Sequence, residues 1–158
     1  MASYDRKFEV IAPTLDKLTR LPLEVETLGL LNPQGTNPVP LIDGELVALG
    51  ATGKYIRATN ASAPAFFSIE DRGDYGVQAS RKLSALIGPP GYIANTIVFD
   101  PANLVLGSPL MAGTVNTVAT GSVVRRGLIL DTGSLRLGYV IKVPGINRNL
   151  LQFISVMS

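Results

Sequence analysis

Breakers set the grain of this chain. Sixteen glycines and eleven prolines fall among 158 residues, with short runs of Val, Ile, Leu and Thr between them. Glycine loses the most conformational freedom on ordering and proline removes a backbone donor, so neither suits the interior of a long helix. Short β-branched runs bounded by such residues predict strands joined by tight turns. From Leu41 onward, residues 46–49, 54–59, 96–99, 114–120, 122–130, 138–143 and 150–156 read as strands. Asp100-Pro101, Gly107-Ser108-Pro109, Gly121, Asp131-Thr132-Gly133-Ser134 and Pro144-Gly145 separate them. Many short strands at close spacing predict an all-β barrel or sandwich.

Residues 61–95 carry a mixed signal. Residues 63–69 read as a strand, 77–87 as an amphipathic helix or another strand, and Gly88-Pro89-Pro90-Gly91 as a rigid loop. No repeat occurs at solenoid or propeller periods. Residues 1–40 differ from the rest, because Pro13, Pro22, Pro33, Pro38 and Pro40 interrupt every pattern. A short helix is predicted over 15–21, capped by Thr14, stopped by Pro22 and apolar along Leu15, Leu18 and Leu21. The region reads as an extended arm lying across another surface, the alternative being a subdomain packed on its own chain. The expected division is therefore an arm over 1–40 and a β-barrel body over 41–158.

The chain contains no histidine, cysteine or tryptophan. Most protein-based catalysis at neutral pH recruits His or Cys, and transition-metal sites recruit one or both. The sequence thus points to a non-enzymatic role with no cofactor and no metal. Charged residues make up only 16% against 46% hydrophobic, which suggests a surface partly covered by partners. The net charge of +2 is unevenly spread. Residues 101–158 carry Arg125, Arg126, Arg136, Lys142 and Arg148 against Asp131 alone, a local +4 (five minus one). Such asymmetry predicts an acidic partner. These cations are scattered, with only Tyr139 and Phe153 among them, so direct nucleic-acid binding is not expected. The N-terminal residues, with no apolar run behind their charges, are not expected to act as a signal peptide, and no apolar run in the sequence approaches the length of a membrane span.

Each motif has a plainer reading beside it. Leu128-Ile129-Leu130-Asp131-Thr132-Gly133-Ser134 resembles the signature of the aspartic proteases, in which two aspartates share a proton. Only 25 residues follow Gly133, too few for the rest of that catalytic lobe, so a strand ending in a turn is preferred. Arg72-Gly73-Asp74 spells an adhesion tripeptide and Asn60-Ala61-Ser62 a glycosylation sequon, but both fit polar turns. Glu45, Glu70, Asp71, Asp74 and Asp100 show no calcium-loop spacing and are assigned solvated or interface-pairing roles. No phosphate-cradling glycine loop is present.

Three stretches carry a family resemblance: Leu41-Ile42-Asp43-Gly44-Glu45-Leu46-Val47-Ala48-Leu49, Leu104-Val105-Leu106-Gly107-Ser108-Pro109-Leu110 and Gly138-Tyr139-Val140-Ile141-Lys142-Val143-Pro144. With the closing apolar strand, this layout over residues 40–158 resembles the small capsid decoration, or cement, proteins of tailed bacteriophages. The resemblance implies a small β-barrel or β-tulip-like domain, made in the host cytoplasm and seated outside an expanded icosahedral shell. It further implies trimers near threefold positions, the major capsid protein as partner, and an arm reaching over neighbouring subunits. On that reading Leu28, Leu30 and Leu31 are apolar anchors, and Arg125, Arg126, Arg136 and Arg148 meet acidic capsid surface. The alternatives are a tail, fibre-base or connector β-domain, and a dimeric aspartic hydrolase centred on Asp131.

Overall fold

The computed structural model describes residues 8–14, 17–24, 42, 44–58, 65–69, 82–117, 124–133, 136–144 and 150–156. Within them the chain forms eleven strands: β1 (Phe8–Ala12), β2 (Thr19–Glu24), β3 (Leu46–Leu49), β4 (Tyr55–Arg57), β5 (Phe66–Ile69), β6 (Lys82–Gly88), β7 (Ile93–Thr96), β8 (Pro109–Val115), β9 (Arg125–Leu130), β10 (Arg136–Lys142) and β11 (Leu151–Ser155). They pair into two antiparallel sheets. Sheet A has the order β1-β7-β11-β10-β8-β9 and sheet B the order β2-β6-β5-β3-β4.

Both sheets curl. A flat five-stranded sheet with strands about 4.8 Å apart separates its edges by roughly 19 Å. In sheet B, however, the Tyr55 hydroxyl on edge strand β4 donates to the Leu21 carbonyl on the opposite edge, β2, at 2.5 Å. No tyrosine spans a flat sheet, so the two edges must face each other. Sheet A bends back differently, its edge strand β9 meeting the segment that follows β7. The chain leaves β7 at Thr96, and two residues later the Val98 carbonyl accepts from Leu128 of β9 at 3.0 Å. Asp100 N–H then donates to the Leu128 carbonyl at 2.9 Å, around a single parallel bridge between Phe99 and Leu128. Each seam is joined by isolated contacts rather than a ladder. The all-β expectation is thus met by two curled antiparallel sheets, and among the described residues neither closes into a hydrogen-bonded barrel.

One core fills the space between them. Phe67 of sheet B lies 5.1 Å, ring centre to ring centre, from both Phe8 and Phe153 of sheet A, and Tyr92 meets Phe153 edge-on at 6.5 Å. Leu46, Leu86, Leu110, Leu128 and Leu151 complete the layer. A smaller cluster of Ile42, Val98 and Val115 lies beside it. The close approach of strands there depends on glycine. A Cβ at Gly127 would sit 2.4 Å from the Val98 carbonyl oxygen, and one at Gly138 would sit 2.5 Å from that of Ile154.

The N-terminal expectations change most. Residues 19–24 are a strand, paired with β6 from Thr19↔Gly88 to Glu24↔Lys82, not part of a helix; residues 15 and 16 lie outside the described residues. The spacing of Leu15, Leu18 and Leu21 imitates a helix, but the tertiary pairing with β6 overrides it. Pro22 does not stop the strand, because β2 is an edge strand and a missing N–H there goes unmissed. The described parts of the expected arm are likewise built into the body: β1 borders sheet A and β2 borders sheet B. The ambiguous 77–87 segment resolves, over its described residues, as strand β6.

Two predictions follow from this packing. Gly127→Ala should lower the unfolding free energy by about 1–3 kcal/mol, the usual cost of overpacking, as measured by urea denaturation. Stability should also fall above pH 10. Burial pushes the phenols of Tyr55 and Tyr92 above their ordinary value of 10.0, with a Ser155 hydrogen bond partly opposing this at Tyr92. The folded state then holds these protons more tightly than the unfolded chain. Their contribution is complete below pH 10 and is lost as the pH rises through the higher folded values. Tyr92→Phe should flatten this alkaline slope in pH-dependent melts.

Candidate interaction surface

Two of the arginines expected to face a partner have other duties. Arg125, at the start of β9, is buried at 8% exposure and its Nη1 donates to Glu45 Oε1. The same carboxylate accepts Arg57 Nε on Oε2 at 2.8 Å, Arg57 Nη2 on Oε1 at 3.3 Å, and the Ile42 N–H at 3.2 Å. Glu45 itself is fully buried. Its position is fixed by the turn before β3, where Gly44 adopts φ +91° and Ser68 bonds the backbone on both sides, to the Gly44 N–H and the Glu45 carbonyl. Arg125 is thus an internal cation neutralised across the two sheets, which corrects its assignment to a capsid contact. Arg126 is half-buried and donates to Thr114 Oγ1 at 2.7 Å. Desolvation and the nearby Arg57 together push its guanidinium pKa down.

Arg136 does reach the surface. Its side chain is 42% exposed while that of Asp131 is buried, and Nε meets Asp131 Oδ2 at 3.0 Å. Arg136 Nη1 also donates to the Tyr139 hydroxyl at 2.7 Å; the bonds to Tyr139 and Asp131 raise the guanidinium pKa. The other carboxylate oxygen of Asp131 accepts the Gly133 N–H at 2.8 Å, and Gly133 has φ +117°. Asp131-Thr132-Gly133 is therefore an Asx turn tied to an arginine. A catalytic dyad would instead require this carboxylate to face a second aspartate and share its proton. Of the five cations in the last third, Arg125 and Arg136 are thus paired within the fold. Leu28, Leu30, Leu31 and Arg148 lie outside the described residues, as do Arg72-Gly73-Asp74 and Asn60-Ala61-Ser62.

The largest apolar exposure lies elsewhere. Val105 and Leu106 are 64% and 68% exposed, the highest values among the large hydrophobic residues described. They occupy the first two positions of a β-turn closed by Ser108 N–H to the Val105 carbonyl at 3.0 Å. Gly107 follows at φ +83°, the value a type II turn requires at its third position. The buried Ser108 hydroxyl accepts the Val105 N–H at 2.9 Å. Gly107 N–H bonds the Val140 carbonyl at 2.9 Å, and Val140 N–H bonds the Ser108 carbonyl at 3.0 Å, a glycine β-bulge set against β10. The turn is held from both sides, while Leu104 just before it packs on the core. Past Val140, Ile141, Lys142 and Val143 are all exposed. The turn and the adjoining strand end carry four exposed apolar residues and one exposed lysine. Scattered apolar residues on a surface are ordinary, whereas a contiguous group marks an interaction site.

Leu104-Val105-Leu106 lies in a stretch that carries the family resemblance, but none of its residues was among the expected contacts. The available signal was Gly107-Ser108, a turn directly after the apolar run. Among the described residues, no group of three or more Asp, Glu, His or Cys side chains could hold a metal ion, and no helix is long and apolar enough to cross a membrane.

The buried ion group yields a direct test. Glu45→Ala leaves Arg57 and Arg125 facing each other without their carboxylate. It should destabilise the protein by about 3–5 kcal/mol, the usual cost of breaking a buried pair, as read from chemical denaturation at neutral pH.

The chain matches no known protein-family model and no curated protein sequence.

Proposed function

We propose that this chain is a structural virion protein that binds the outside of a phage capsid and stabilises the shell by bridging major capsid subunits. The support is threefold: the layout shared with capsid decoration proteins, a composition poor in charge and free of His and Cys, and an ordered apolar group on the surface. The observation that carries the reading is the rigid Val105–Leu106 turn beside the exposed end of β10. A side-chain pair this apolar, pinned by four hydrogen bonds, is suited to protein–protein contact. A shell presents the same contact many times, so modest affinity per site becomes firm attachment once one molecule touches several subunits.

The role asks nothing of catalysis. Asp131, the residue on which a hydrolase reading would rest, is engaged by Arg136 and Gly133. Trimers near threefold positions are the arrangement that the resemblance favours.

The test is reconstitution. Heads prepared from the encoding virus with this gene deleted should bind the purified chain to saturation at a fixed ratio to the major capsid protein. Decorated heads should melt at higher temperature than bare ones by differential scanning calorimetry. Failure of the chain to co-sediment with expanded heads would overturn the proposal.

A further inference from the structure

We infer that the outer face of sheet A binds a second copy of this chain, with Lys142 of each copy meeting Glu9 of the other. The twofold axis relating them runs along the strands, between β7 and β11. The inference is independent of the capsid reading and rests on register. In β1, β7, β11 and β10, the side chains of Phe8, Ala94, Phe153 and Val140 enter the core. Side chains alternate along a strand, so their neighbours stand on the outer face. There Lys142 pairs with Gln152, Gln152 with Asn95 and Asn95 with Glu9, a polar row across four adjacent strands. The row beside it runs Tyr139, Ile154, Ile93 and Ala12. Gln152 Nε2 donates to Asn95 Oδ1 at 3.2 Å and joins the middle of the polar row. Ile93 and Ile154 are half-buried and lie outside the core cluster, and Lys142 is exposed.

The charges of this face are antisymmetric. The polar row is positive on β10, neutral on β11 and β7, and negative on β1. Its ends stand three strand spacings apart, about 14 Å, too far for Lys142 and Glu9 to pair within one copy. Asp131 is engaged by Arg136, and Asp100 lies beyond β9, at the opposite edge of the sheet from β1. Glu9 is thus the acid this face offers to Lys142. A twofold axis along the strands exchanges β10 with β1 and β11 with β7. It sets Lys142 over Glu9 at both ends, Gln152 over Asn95, and Ile154 over Ile93 at the centre. Polar row meets polar row and apolar row meets apolar row, the self-complementarity an isologous contact demands. An axis across the strands exchanges the rows instead, stacking apolar on polar and leaving both charges unmatched. Sheets packed face to face also keep their strands nearly aligned, as the first axis requires. Because the sheet curls around the core, this face is convex, and contact centres on β7 and β11. Such an interface is small and associates weakly.

The experiment is sedimentation equilibrium of the full chain from about 5 to 500 μM, the range in which a weak dimer titrates. Four variants accompany the parent: Lys142→Glu, Glu9→Lys, these two combined, and Ile154→Asp. Unchanged melting temperatures check that each keeps its fold. The parent should dimerise reversibly within the range. Each single reversal sets like charges opposite each other at both ends, and should weaken the dimer at least about 10-fold. The combined swap restores opposite charges and should return to within about 3-fold of the parent. Ile154→Asp buries a charge at the centre of the contact and should leave the chain monomeric.

A parent that stays monomeric throughout overturns the inference. So does an assembly, of any size, whose mass and affinity neither single reversal changes, since another face then holds it. A combined swap that folds but recovers no association also overturns it, because Lys142 and Glu9 are then not opposite each other.

Discussion

The Glu45 carboxylate is the point on which the two sheets agree. Glu45 immediately precedes β3, Arg57 closes β4 and Arg125 opens β9, so one buried acid ties sheet B to sheet A. An apolar contact at that junction could slide. A carboxylate receiving two guanidinium groups and a backbone N–H has few alternative arrangements, because each displaced donor would give up a buried hydrogen bond to it. The surrounding turn reinforces this, since the positive φ of Gly44 brings its backbone against Phe8 and Thr96 of sheet A. Polar geometry sets the relative position of the sheets, and the Phe8, Phe67 and Phe153 rings then fill the space between them.

Curling is the second constraint, and glycine makes it affordable. Where β9 passes Val98 and β10 passes β11, backbone atoms approach too closely for any side chain. Gly127 and Gly138 stand at those close approaches, where a Cβ would press on a carbonyl oxygen of the neighbouring segment. This accounts for a body of many short strands with a continuous core but no closed hydrogen-bonded ring.

The all-β class and most of the strands after Leu41 were legible from alternation and breakers alone. Segments 46–49, 54–59, 122–130 and 150–156 each contain an observed strand, and 138–143 covers most of β10. The N-terminal strands were not, because the leucine spacing around Leu18 and Leu21 fits two periods and only β6, more than 60 residues onward, decides between them. Arg125 was misplaced for the same reason. Nothing near it announces burial, and the acid that makes burial tolerable lies 80 residues earlier. Conversely, Gly107-Ser108 signals a turn after Leu106, but the exposure of Val105 and Leu106 is fixed by the pairing with Val140. Short-range order was written locally, while the inside and outside of the molecule were settled by distant pairings.

Those distant pairings impose an order on assembly. Phe8 pairs with Thr96 and Thr19 with Gly88, so the first strands to leave the ribosome wait for partners made some 70 to 90 residues later. Until β6 and β7 emerge, β1 and β2 have no edge to join, and their apolar residues have no core to enter. Closure over such separations is slow compared with the hairpins of β3–β4 or β8–β9. β1 and β2 are therefore made well before the strands they pair with, and long-range closure gives each sheet one of its edge strands.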